Sequence, residues 1–236
     1  AQQLYEGVDI EGEGTIGLIT YMRTDSLRLS EDALDAAKQF IVARYGADYY
    51  PPETRRFKAK ANAQDAHEAI RPSNVELTPE LVRKSLTQEQ YRLYKLIWSR
   101  FLSCQMANAV YDSLSIDINA GPHLFRATHT EQKFSGFTAV YEASKDEEDG
   151  ERNSPLPDLT EGEPLSLKEA EGAQHFTQPP ARYSEATLIR VLEEKGIGRP
   201  STYAPTISTI MDREYVVKEG KALRPTPLGE VVTQLM

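Results

Sequence analysis

Hydrophobic side chains recur at helical spacing through residues 1–107. After a suitable N-cap at Ser30, apolar residues fall on one face of a helix that ends at Gly46. A second helix is predicted over about 88–105, because Thr87-Gln88-Glu89-Gln90 forms a capping box. The aromatic residues of this helix repeat with its period, which favours packing in a core over stacking on bases.

The hydrophobic period changes to two after Val110. Alternating apolar and polar residues are typical of strands with one buried face. We therefore predict antiparallel strands over residues 114–118, 124–128, 137–141 and 164–168.

The last part of the chain returns to helical spacing. Ser184 is placed to cap a helix that reaches Lys195, and a second helix follows Thr202. A hairpin with a turn at Glu219-Gly220 comes next. Two helices joined by a turn and followed by a hairpin are typical of a winged-helix-like DNA-binding unit.

These patterns predict a multidomain α and β protein. Its 236 residues are 39% hydrophobic, which is enough for one large or two to three small cores. We expect a helical domain over 1–107, a partial antiparallel β domain over 108–177 and a partial winged-helix-like domain over 178–236.

The net charge of −9 argues at first against a nucleic-acid partner, because binding to phosphates needs positive surface. The distribution of charge changes this picture. Lys and Arg number 14 against 15 Asp and Glu in residues 1–107, 5 against 14 in 108–177, and 8 against 7 in 178–236. The two outer segments are therefore the better candidates for contact with DNA.

The sequence contains no apolar run of about 18 residues and no basic-then-apolar leader, so we expect a cytoplasmic protein without a membrane anchor. The chain does not begin with Met, so we expect that it starts inside a longer sequence. Asp9, Glu11 and Glu13 alternate like metal ligands, but the glycines around them favour a solvated loop.

The stretch 17–26 combines an apolar run with chargeable side chains. Residues 18–22 predict a strand, and residues 24–26 favour a turn, so Tyr21 is expected near a strand end. In an extended backbone Arg23 emerges on the same side as Tyr21. A guanidinium helps a phenol to ionise and binds phosphate oxygens, which suits phosphoryl transfer. The structural alternative is a half-buried tyrosine with a hydrogen-bonded hydroxyl.

Three blocks of the sequence resemble the type IA DNA topoisomerases, in particular the bacterial DNA topoisomerase I subfamily. The first is Tyr21-Met22-Arg23-Thr24-Asp25-Ser26, and the second is Ala66-His67-Glu68-Ala69-Ile70-Arg71-Pro72. The third is Gly196-Ile197-Gly198-Arg199-Pro200-Ser201-Thr202-Tyr203. The blocks occur in the order of the family, and the resemblance covers essentially the whole chain.

The resemblance implies that Tyr21, Arg23 and His67 are catalytic. Tyr21 would attack a backbone phosphate and form a 5′-phosphotyrosine, while Arg23 would stabilise the transition state. His67 is expected on a short helix over 62–71, and a histidine can exchange protons near neutral pH. The alternative is a purely structural histidine. The resemblance also implies that residues 108–177 belong to an antiparallel β-strand arch.

Further residues of these blocks are candidate DNA contacts. Arg71 is predicted to share the helix face of His67. Arg199, Ser201 and Thr202 stand where a helix begins, where N–H groups and hydroxyls can bind a phosphate, or where they can simply cap the helix. Arg213 follows that helix, but the family often has a smaller residue in the place of Glu214.

The family resemblance also implies a cofactor and a DNA partner. The expected activity is relaxation of negatively supercoiled DNA through single-strand cleavage, strand passage and religation, without ATP. The Mg²⁺ of the family is bound by a Toprim domain, which we expect upstream of Ala1; we predict no metal site in this chain. The chain alone is therefore expected to bind DNA weakly and to leave supercoils unrelaxed.

Two other classes of protein share part of this pattern. A tyrosine recombinase also uses Tyr, Arg and His, but it has two separated arginines and a tyrosine near the C-terminus, and it forms a 3′-phosphotyrosine. A non-catalytic DNA-binding module would need only the winged-helix-like segment and would form no covalent adduct.

Overall fold

The structure, a computed structural model, describes residues 1–57, 67–141 and 156–236. It divides into two compact units, Ala1–Glu163 and Pro164–Met236.

The first unit contains helices that begin at capping residues recognisable in the sequence. The Ser30 side chain accepts a hydrogen bond from the Ala33 N–H, and Thr87 forms the predicted capping box with Gln90. Both predicted helices are confirmed. The helices of this unit are α1 Gln2–Glu6, α2 Glu31–Tyr45, α3 Pro79–Val82 and α4 Gln88–Gln105, with 3-10 turns at Ala47–Tyr49, Arg83–Ser85 and Gly136–Ala139.

The aromatic residues of α4 lie in the core, as their spacing predicts. Trp98 packs edge-on against Phe40 of α2 with ring centroids 5.6 Å apart, and its Nε1–H donates to the Val75 carbonyl at 2.9 Å. Tyr94 is fully buried, and its hydroxyl donates to the Leu77 carbonyl at 2.6 Å. Burial raises the pKa of Tyr94, because the phenolate would lose its hydration. Base stacking is thus excluded for these two rings.

The described residues of this unit include two antiparallel hairpins. The first pairs β1 Val8–Ile10 with β2 Gly14–Ile16. A loop was predicted around Asp9, Glu11 and Glu13; this is wrong for Asp9, which lies in β1, and right for Glu11 and Glu13, which lie in the turn. The second pairs β3 Val110–Ala120 with β4 His123–Phe134 and forms a ribbon that is exposed on both faces.

Two of the predicted strands do not form. Residues 137–141 belong to a 3-10 turn and its exit, because the chain folds back tightly on the end of α4. The Phe137 N–H donates to the Ala107 carbonyl at 2.9 Å, and Gly136 has φ +48° with its α-carbon against the Asn108 carbonyl. Residues 164–168 have no strand pairing either.

The second unit has the order of elements that the sequence predicts, plus one further helix. These elements are α5 Glu185–Glu194, α6 Tyr203–Asp212, β5 Val216–Glu219, β6 Ala222–Pro225 and α7 Pro227–Leu235. The Ser184 side chain caps α5 as expected. The Thr226 hydroxyl caps α7, and Gly229 lets α7 approach the Tyr215 carbonyl, since a β-carbon there would lie 2.2 Å from that oxygen. None of the helices in the described ranges has the length and apolar character of a membrane span.

Glu214, directly after α6 and Arg213, is in the left-handed region with φ +58°. Its N–H donates to the Met211 carbonyl at 2.9 Å, and the Tyr215 N–H donates to the Ile210 carbonyl at 3.0 Å, which closes the helix end. A β-carbon is disfavoured in this conformation. This backbone conformation explains why glycine, which has no β-carbon, suits position 214 better than glutamate does.

We expect Glu214→Gly to stabilise the protein by about 1 kcal/mol, because glycine adopts a positive φ without the steric cost of a β-carbon. Urea unfolding of the variant and the parent protein measures the difference. Glu214→Ala is the matched control, since it removes the carboxylate but keeps the β-carbon. Equal stabilisation by both substitutions would show that charge, and not backbone conformation, decides the effect.

Candidate active site

A short antiparallel bridge joins the first two sequence blocks. Ile19 pairs with Pro72, the Thr20 N–H donates to the Arg71 carbonyl at 3.0 Å, and the Ser73 N–H donates to the Leu18 carbonyl at 3.0 Å. The strand predicted over 18–22 is therefore wrong as a regular strand. It is reduced to this one bridge, because its other side is taken by a helix end rather than by a second strand.

That helix end belongs to α1. The Leu4 carbonyl accepts from the N–H groups of Leu18 at 2.7 Å and Ile19 at 3.3 Å. Gly17 lies so close to α1 that a β-carbon there would be 2.5 Å from the Tyr5 carbonyl oxygen. The glycine before the apolar run is thus required by this close approach, and α1 is fixed to the run that leads to Tyr21.

Thr20 adds a second tie that sequence reasoning missed. Its hydroxyl donates to the Ala69 carbonyl at 2.8 Å and accepts from the Arg71 N–H at 3.0 Å. A threonine immediately before Tyr21 was the available signal, since its hydroxyl can both donate and accept. The residue next to the candidate nucleophile thereby holds the segment that carries His67.

These ties bring Tyr21 and His67 together. Their ring centroids are 5.1 Å apart with an interplanar angle of 47°, and both residues are half-buried. The ring of Tyr5 packs edge-on against Tyr21 at 5.5 Å and 69°. Sequence reasoning missed Tyr5, because nothing local shows that the end of α1 returns to this place.

His67 does not lie on a helix. Residues 67–71 form bends, and the first part of the helix predicted over 62–71 lies outside the described residues. The reason is that the N–H groups of Ala69 and Arg71 donate to the Arg28 carbonyl at 2.8 Å and to the Thr20 hydroxyl, not to a helical turn. Tertiary hydrogen bonds have replaced the local ones.

The two arginines of these blocks differ in their surroundings. Arg23 is exposed, two residues after Tyr21. Arg71 is only 15% exposed, forms an ion pair with Glu68 at 2.7 Å and donates to the Pro72 carbonyl at 2.9 Å. Arg71 therefore has a structural role in holding the second block, and its contact with DNA stays a prediction.

The segment after Tyr21 turns as its composition predicts. The Ser26 N–H donates to the Thr24 hydroxyl at 3.0 Å, and the Arg28 N–H donates to the Ser26 hydroxyl at 3.2 Å. These hydrogen bonds form the turns that directly follow Arg23.

The third block forms a compact turn within the second unit. The Arg199 N–H donates to the Thr202 hydroxyl at 2.9 Å, and the Thr202 N–H donates to the Arg199 carbonyl at 2.8 Å. The Thr202 hydroxyl thus closes the turn before α6 rather than capping that helix. Arg199, Ser201, Thr202 and Arg213 are all exposed. Gly198 has φ +84°, and a β-carbon there would crowd Thr202 and Tyr203.

Metal ligands were not predicted in this chain. Within residues 1–57, 67–141 and 156–236, no group of three or more His, Cys, Asp or Glu side chains is arranged to hold a metal ion.

Comparison with known proteins adds to this geometry. A family model described as DNA topoisomerase matches residues 1–236. Among solved structures, the full-length topoisomerase I of Thermotoga maritima matches with a TM-score of 0.75 and 36% sequence identity. The match covers 99% of this chain and 37% of the Thermotoga chain, so this chain spans little more than a third of that protein. With the whole of its length matched by the family model, the chain belongs to the DNA topoisomerase family.

Proposed function

We propose that this chain carries the DNA-cleaving tyrosine of a type IA topoisomerase, and that Tyr21 is the nucleophile. One observation carries the proposal: the half-buried Tyr21 ring lies against the His67 ring at 5.1 Å, although the two residues come from separate blocks. Family membership supports the same assignment. A tyrosine with only a packing role would need neither an imidazole against its ring nor an exposed arginine two residues along the chain.

The proposed reaction exchanges one phosphodiester for another. The phenolic oxygen of Tyr21 gives up its proton and attacks a backbone phosphorus, the bond between phosphorus and the 3′-oxygen breaks, and the 3′-oxygen gains a proton and leaves as a hydroxyl. The phosphorus stays bonded to the 5′-oxygen of the other DNA end, as a 5′-phosphotyrosine. Attack by the same 3′-hydroxyl reverses the step and releases Tyr21. The bond energies nearly balance, so neither step needs ATP.

His67 and Arg23 are assigned different parts of this reaction. His67 packs against the Tyr21 ring, and its imidazole is proposed to accept the proton of the phenol or to donate one to the departing 3′-oxygen. Arg23 is exposed and free to turn toward a bound phosphate, where its charge would stabilise the negative charge of the transition state.

The proposed substrate is a single-stranded region of negatively supercoiled DNA, whose torsional energy drives net relaxation. In the second unit, the exposed Arg199, Ser201, Thr202 and Arg213 are proposed phosphate contacts. Arg71 is kept as a further DNA contact of the first unit. We propose, with the family resemblance, a bacterial protein that works in the cytoplasm at the nucleoid.

The family implies Mg²⁺, and the described residues do not fit it. No cluster of side chains in those ranges can hold a metal ion, so no step of the proposed reaction is assigned to a metal bound by them. We propose instead that the Mg²⁺ of the intact enzyme is bound by an acidic Toprim domain.

Tyr21→Phe should abolish the covalent adduct in a full-length enzyme carrying this sequence, because phenylalanine has no oxygen to attack the phosphorus. A denaturing gel of labelled single-stranded oligonucleotide measures the adduct. A label on the DNA fragment that begins with the 5′-phosphate should remain with the protein. Peptide mapping must place the adduct on Tyr21, since the Tyr5 phenol lies next to it. An adduct through a 3′-phosphate would indicate recombinase chemistry instead.

Arg199→Ala should weaken binding of single-stranded DNA, because it removes about one phosphate contact. The slope of log K against log salt concentration should then become shallower by about 0.7. Fluorescence anisotropy at several salt concentrations measures both quantities. Arg126→Ala is the matched control, because Arg126 is paired with Asp117 at 2.7 Å on the exposed ribbon. An equal loss in both variants would mean that only net charge matters.

The purified chain should not relax negatively supercoiled plasmid in the presence of Mg²⁺, because it spans 37% of the Thermotoga topoisomerase and its described residues offer no metal site. Agarose gel electrophoresis of the plasmid measures relaxation, with a full-length enzyme carrying this sequence as the positive control. Relaxation by the purified chain that disappears with Tyr21→Phe would overturn this expectation.

A further inference from the structure

We propose that Tyr5 is a positioning residue that orients the Tyr21 ring for attack. The inference rests on the proposed function, since the direction of the Tyr21 hydroxyl matters only if that oxygen reacts. The supporting contact is the edge-on packing of the two rings, with centroids 5.5 Å apart and planes at 69°. His67 contacts the same ring at 5.1 Å, so Tyr21 is held by two aromatic neighbours.

The backbone fixes where the Tyr5 ring can lie. Leu4, the preceding residue, accepts hydrogen bonds from Leu18 and Ile19 through its carbonyl oxygen. The Tyr5 carbonyl itself lies against Gly17, at a distance that leaves no room for a β-carbon. The end of α1 that carries Tyr5 is therefore joined to the apolar run that leads to Tyr21, and this connection places the two rings against each other.

An edge-to-face pair favours one orientation of the ring that it contacts. The oxygen of Tyr21 must approach phosphorus in line with the bond that breaks, so a ring with more freedom would reach the reactive orientation less often. Loss of the Tyr5 ring should thus slow the covalent step and leave the affinity for DNA unchanged. A residue that contributed only to packing would affect stability and not this rate.

A structural role and a positioning role of Tyr5 are separated by measuring stability and rate together. Tyr5 is 41% exposed, so its replacement also removes buried surface, and the melting temperature reports that loss independently of the rate. Tyr5→Leu removes the ring, and Tyr5→Phe keeps the ring and removes only the hydroxyl. Tyr111→Leu is the matched control, because Tyr111 is 51% exposed on the ribbon of the same unit.

The test measures the rate of adduct formation at saturating single-stranded DNA, the Kd for that DNA, and the melting temperature, in a full-length enzyme carrying this sequence. Tyr5→Leu should slow the adduct step by about threefold to tenfold, the factor that an aromatic pair supplies, with Kd within twofold. Tyr5→Phe and Tyr111→Leu should keep the parent rate.

Two results would overturn the inference. The first is an unchanged rate in Tyr5→Leu, and the second is an equal loss in Tyr5→Phe and Tyr5→Leu, which would assign the effect to the Tyr5 hydroxyl. Both leave the proposed function intact, provided that the parent enzyme forms its adduct on Tyr21. Failure of the proposed function is distinguishable, because the parent enzyme would then form no adduct on that residue.

Discussion

The pairing of Ile19 with Pro72 is the interaction on which the candidate site depends. Each hydrogen bond of this bridge contributes only about 0.5–1.5 kcal/mol net, which alone would not order two irregular segments. The bridge persists because its apolar side chains are in the core: Leu18 and Ile19 are almost completely buried. Burial of the apolar run thus fixes the position of its backbone. Tyr21 follows this run and lies beside His67, and Arg23 comes after it at the surface.

The Thr20 hydroxyl and Arg71 show how polar groups are divided between structure and chemistry. Arg71 uses its guanidinium on Glu68 and the Pro72 carbonyl, and Thr20 uses its hydroxyl on the backbone of the same segment. These contacts hold the second block where helical hydrogen bonds would otherwise form. Arg23, by contrast, stands exposed after Tyr21. Arg71 is thus paired within the fold, whereas the side chain of Arg23 is open to solvent.

The parts of the fold that the sequence predicts are those that local physics determines. The capped helices, the ribbon and the hairpin of the second unit depend on caps, periodicity and turn residues within a few positions. The predictions failed at 67–71, where distant groups accept from the backbone N–H groups, at 18–22, where a helix end takes the place of a second strand, and at 137–141, where 3-10 hydrogen bonds form instead of strand pairing. The candidate nucleophile was found through motif resemblance, whereas Tyr5 could be recognised only after folding had placed the end of α1 against Tyr21.

The way in which Tyr21 is held follows from what its oxygen would have to do. The hydroxyl of an attacking tyrosine gives its proton to a base, so its hydrogen bonds change during the reaction. Contacts with the carbon atoms of the ring can hold its orientation throughout. Aromatic neighbours supply such contacts without restraining the oxygen. Tyr5 and His67 contact Tyr21 in this way, and the imidazole can in addition move a proton.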